Sequence, residues 1–315
     1  MQKSLAFKGV MNSDILGDSS WDTALRLARS GLLPPGDLVR LVRNSWTDRI
    51  SVKEFVRGLH LSAIPHDAVI KAAQVVDPSV VRIDSAVSLL GFRGAATVAA
   101  ICFTCSALSR RCGSERTRDS VLQYIIDSIE IGYHFGVSAE AIGPDAGMLL
   151  GFGQSVGPAL LITSFAPTAA DLMSVVSRSK EPVTYLNEFG CEPYQVASLA
   201  LQRLGFGSHL ATAAVMALGN FTLEFIPADG AVSGWWAATE WIDALARGER
   251  TPTRKSSANY FPELLCGHSP ETEVPLYMQA LLSSIDSVRE RHSAWTWHLC
   301  AEMPANQPLP GSPST

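Results

Sequence analysis

The stretch "MLLGFGQSVG", Met148 to Gly157, holds three glycines, Gly151, Gly153 and Gly157, spaced G-x-G-x-x-x-G. A dinucleotide loop needs G-x-G-x-x-G between a strand and a helix. Here the spacing is one residue too long, and no alternating strand precedes it. The Lys-Ser/Thr of a P-loop is also absent. Without side chains, the three positions are better suited to close packing of one backbone on another. Metal chemistry finds equally few materials. Cys102 and Cys105 form a C-x-x-C with Cys112 beyond it, but no second pair of Cys or His supplies the remaining zinc ligands. The pair sits in the apolar run "AAICFTCSAL" and reads as core cysteines. Of the seven histidines, His60, His66, His134, His209, His268, His292 and His298, only His66 is followed by an aspartate, Asp67. That pair suits a helix N-terminus. His292 and His298 are unevenly spaced for one helical face. There is no G-x-S-x-G elbow, and Glu188, Glu192 and Glu224 are scattered carboxylates.

The basic loop Arg110, Arg111, Arg116 and Arg118 precedes a helix start near Asp119. Arginine forks and free backbone N–H groups suit a phosphate. A solvated loop is the plainer account. The sharper expectation is that Arg116 and Arg118 bind an anion such as a nucleotide. Further on, Trp235, Trp236 and Trp241 cannot all share one face, because helical neighbours point about 100° apart. One of them is either an exposed interface anchor or packs between the C-terminal part and the rest.

The elements that must position these groups are helical almost throughout. Ser51 and Glu54 make a capping box ahead of Val52, Phe55, Val56 and Leu59. Val69, Ile70, Ala73 and Val76 repeat the pattern until Asp77-Pro78 breaks it. Ile83, Ala86, Val87 and Leu90 form another face that Gly91 stops, and Ala95–Leu108 should be buried. Thr117 can cap a helix faced by Leu122, Ile125, Ile126, Ile129 and Tyr133. "GVSAEAIGPDA" reads as a loop with at most a short turn. Further helices are expected at 168–177, 182–189, 193–204 and 208–221, then around Trp235–Leu245 and Val274–Val288. The tail "PANQPLPGSPST" has the composition of a disordered segment.

The chain has 315 residues, 47% hydrophobic and 17% charged, so a sizeable core is expected. A net charge of -5 argues against a general nucleic-acid binder, and none is expected as partner. Residues 141–166 are apolar but interrupted by Pro144, Asp145, Gln154 and Pro158. They fall short of the ~20 predominantly apolar residues of a spanning helix. With no secretory pattern at the start, the chain is expected to be cytoplasmic and not membrane-bound.

Two segments resemble the HDOD family, a degenerate relative of the HD-type metal-dependent phosphohydrolases used in bacterial signalling. From Gly31 onward, the first ends in an A-x-x-L-L-G signature at Ala86, Leu89, Leu90 and Gly91. The second runs from the glycine stretch to "NEFGCEPYQVASLALQRLGFGSHLATAAVMALGN". The resemblance implies an all-α, two-lobed HDOD/HD-like fold with an N-terminal helical bundle and a C-terminal helical extension. The expected division is an N-terminal segment at 1–30, the HDOD-like domain at 31–225, the extension at 226–303 and the tail at 304–315.

The same resemblance places Gly151 and Phe152 where active HD enzymes carry the His-Asp metal ligands. Asp119 falls near the early His, Pro193 at the His of the family's F-G-x-x-H, and Gly219 and Asn220 at the later His pair. These positions form a vestigial site, in which Phe152 is expected to fill the space left by the metals and to point toward Asp119 and Asn220. No metal, no cofactor and no enzymatic activity are expected. The implied role is a regulatory module that binds a protein partner. The alternative is a sensor holding a nucleotide in the vestigial cleft, with residual phosphohydrolase activity a more distant third.

Overall fold

The computed structural model describes residues 19–47, 50–62, 64, 66–165, 182–218, 230–265 and 276–291. Among them there are only helices and turns and no strand, so the fold is all-α as the periodicity requires. In chain order the helices are α1 (Ser19–Gly31), α2 (Gly36–Trp46), α3 (Val52–Leu61), α4 (His66–Val76), α5 (Ile83–Ser109), α6 (Glu115–Ser138) and α7 (Gly143–Phe165). They are followed by α8 (Pro182–Phe189), α9 (Pro193–Leu204), α10 (Ser208–Leu218), α11 (Gly230–Ala246), α12 (Lys255–Ala258), α13 (Pro262–Leu265) and α14 (Leu276–Arg291). The helix expected at 168–177 and the tail lie outside the described residues.

Local sequence accounts for most of the boundaries. The Ser51–Glu54 capping box forms in both directions: Ser51 N donates to Glu54 Oε2 at 2.9 Å, and Glu54 N donates to Ser51 Oγ at 3.4 Å. The Ser51 hydroxyl, which donates to Glu54 Oε2 at 2.7 Å, and then the Ser51 N–H hold the Glu54 carboxyl below its usual range. α4 stops at Val76, one residue before Asp77-Pro78. Two boundaries differ from expectation. Ser114, not Thr117, caps α6, its hydroxyl accepting from Thr117 N at 3.1 Å. The expected loop "GVSAEAIGPDA" is largely helix, because α6 runs on to Ser138 and α7 already begins at Gly143. Gly91 ends the Ile83–Leu90 stretch as expected: at φ 69° and ψ 164° it is not helical, and a second helical stretch of α5 carries on beyond this kink to Ser109.

α7 is the axle of the fold. It packs against α1, α5, α6, α9, α10 and α11. All residues from Ala146 to Thr163 are buried, so this helix has no polar face, as befits one enclosed on every side. α5 and α7 are both long and apolar enough to cross a membrane. However, 67% and 83% of their most apolar windows are buried inside the fold, so core packing accounts for their composition.

α3 and α4 lie to one side and pack on α2 and α5. The hydrophobic core is nevertheless one cluster, running from Ala24 in α1 to Val288 in α14. Both the N-terminal segment and the C-terminal extension contribute to it, so the core itself draws no line between lobes. The extension is locked down by its tryptophans. Trp241 is fully buried, stacks on Phe135 at 6.2 Å and donates its Nε1–H to Ser257 O at 2.9 Å. Trp236 is 1% exposed and lies under Arg254. The half-buried Trp235 meets Trp46 edge-on at 6.0 Å. Trp235 and Trp241 pack between the extension and the main body, Trp236 is buried beneath the extension's own Arg254, and none of the three is left as an exposed anchor.

Candidate functional site

The mapped positions centre on α6 and α7, which cross as an antiparallel pair with almost no side chain between them. Opposite Gly147 stands Gly132, opposite Gly143 stands Gly136, and opposite Gly151 stands Ser128. A Cβ built on Gly132, Gly136, Gly147 or Gly151 would overlap the facing carbonyl oxygen, that of Gly147, Gly143, Gly132 and Ser128 respectively. Gly157 meets the Pro193 carbonyl of α9 in the same way. Only glycine allows backbones this close. The G-x-G-x-x-x-G spacing is therefore a packing device aimed at two partners, with Gly151 toward α6 and Gly157 toward α9.

This register decides which mapped residues meet. Gly151 is level with Ser128. Asp119 lies nine residues earlier on α6, about 13 Å further along the axis. It is exposed and pairs with Arg118 Nε at 3.1 Å. The structure does not bring Asp119 to Gly151. Gly219 and Asn220 lie outside the described residues.

Phe152 is wholly buried. Successive residues of α7 address different neighbours. Gly151 faces α6, Gly153 faces Leu201 of α9 at 3.2 Å from where its Cβ would stand, and Gln154 donates to Thr239 O of α11. Phe152 points about 100° from both Gly151 and Gly153. It shares a stripe with Asp145, two turns earlier, whose Cβ is 3.7 Å from where a Gly94 Cβ would stand on α5. By helical phase Phe152 therefore falls on the side of α7 that carries Asp145. The space beside Gly151 is taken by the α6 backbone, and Asp119 lies about 13 Å along α6 from that level; Asn220, the other residue that Phe152 is expected to approach, lies outside the described residues.

The basic loop is divided in its duties. Arg111 clips three elements together, with Nη1 donating to Ser30 O of α1 at 2.7 Å and Nη2 to Ser164 Oγ of α7 at 3.1 Å. Arg110 folds back on Ser106, bonding its carbonyl at 3.2 Å and its hydroxyl at 3.1 Å. Arg116 is exposed, while Arg118 is half-buried and engaged with Asp119. The N–H of Thr117, which could have met an anion, is taken by Ser114.

Other sequence candidates resolve as structure. His66 and Asp67 open α4 as a helix-start pair. Cys102 and Cys105 are buried in α5. Among the described residues no three His, Cys, Asp or Glu side chains gather as a metal set. Pro193 opens α9, and its carbonyl abuts Gly157. One polar group escaped the sequence reading. Glu130 of α6 is 8% exposed, with Oε1 3.6 Å from His134 Nε2 and Oε2 buried without a hydrogen-bond partner. The i,i+4 spacing within "EIGYH" is the signal that could have found it.

No family model matches the chain. No curated protein matches it either. Among solved structures, it is similar to an HDOD domain protein of unknown function from Geobacter sulfurreducens, with a TM-score of 0.59 and 13% identity. The match covers 89% of this chain and 98% of that one. An identity of 13% speaks for the fold alone. The chain has an HDOD-like fold.

Proposed function

We propose that the chain is a non-catalytic regulatory module of bacterial signal transduction, cytoplasmic, that works by binding a protein partner. The observation that carries this reading is the backbone contact between α6 and α7. A metal-dependent phosphohydrolase needs His and carboxylate ligands converging on one cavity. At the position mapped onto the first residue of the His-Asp pair, Gly151 has no room even for a Cβ against Ser128. Phe152, at the second, is an apolar, fully buried side chain that cannot ligate a metal. The helices that would carry the ligands are thus joined in a way that favours a scaffold over a reaction centre.

The alternative, a nucleotide sensor using Arg116 and Arg118, has less support. Arg118 is engaged with Asp119, and the start of α6 already carries its own cap. The experiment is cross-linked affinity capture from the native cell, followed by reconstitution with the purified partner. A saturable complex of fixed stoichiometry is the expected result. A chain that reconstitutes no complex, yet releases heat on titration with a nucleotide, contradicts the proposal and favours the sensor.

A further inference from the structure

We draw no further inference here: the strongest candidate, the Glu130–His134 side-chain pair on α6, leaves the buried Glu130 Oε2 without a hydrogen-bond partner, but no third His, Cys, Asp or Glu joins it among the described residues and nothing in the structure shows what it would hold.

Discussion

Gly151→Ala adds one methyl to the most crowded point between α6 and α7. In an ordinary helix interior this change stabilises by up to about 1 kcal/mol, because alanine is the better helix former. Here the new Cβ would stand 2.8 Å from the Ser128 carbonyl carbon and 3.1 Å from Ile129 Cα. Carbon atoms rest about 3.5–4.0 Å apart, so the two backbones must part by about 1 Å. No flexible side chain can give way in their place. Overpacking typically costs about 1–3 kcal/mol, and rigid backbone on both sides puts this case at the upper end. Less the propensity gain, the net loss is about 2 kcal/mol. Urea unfolding read by circular dichroism would show a lower midpoint with little change in slope. Gly36→Ala is the control, because nothing lies within 4 Å of its Cβ position, and it should be neutral or slightly stabilising. If Gly151→Ala is as mild as Gly36→Ala, the helices are not in backbone contact, and the argument for a closed site fails with it.

Three further outcomes follow from the same geometry. Gly91→Ala should destabilise by about 1–3 kcal/mol in urea although nothing crowds it, because φ 69° with ψ 164° is a glycine-only conformation. A neutral result would mean that α5 runs straight. Glu130→Leu should leave the melting temperature unchanged or raise it, since it removes a buried carboxylate with an orphaned oxygen; a clear fall would show that Glu130 has a partner worth keeping. Alkaline pH should weaken the fold. Burial pushes the Cys191 thiol up to about 12 from an ordinary value of about 9, and the Tyr185 phenol up to about 12 from about 10. Burial also raises Tyr124. Between those values the folded chain keeps protons that the unfolded chain releases, so stability is intact below about pH 9 and declines as pH rises toward 12. An unfolding midpoint equal at pH 8 and pH 11 would contradict that burial.

The helices were legible because their signals are local. The Ser51–Glu54 box, the Asp77-Pro78 break and the Ile83–Leu90 face each sit within one or two turns of the residue that decides them. Gly91 was legible as a break but not as a kink. Whether the chain resumes the same helix depends on α2 and α7 receiving the next segment, which is tertiary information. The glycines of α7 announced close packing of one backbone on another. They could not say which neighbour each residue meets, because a helix apolar on every side carries no marked face. That is where the site expectation went astray. Gly151 and Phe152 are adjacent in sequence yet fall on different sides of α7, and the α6 register that puts Ser128 rather than Asp119 beside Gly151 is visible only once both helices are placed. Arg111 shows the same limit: in sequence it belongs to a basic loop, and in the fold it ties α1 to α7.

The most direct test of the central claim is the metal content of the purified chain, measured by mass spectrometry alongside turnover of a phosphodiester substrate. With α6 and α7 sealed at Gly151, the chain should carry no stoichiometric transition metal and show no turnover above buffer, with or without added manganese or iron. One metal ion or more per chain, together with turnover abolished by a chelator, would contradict the account.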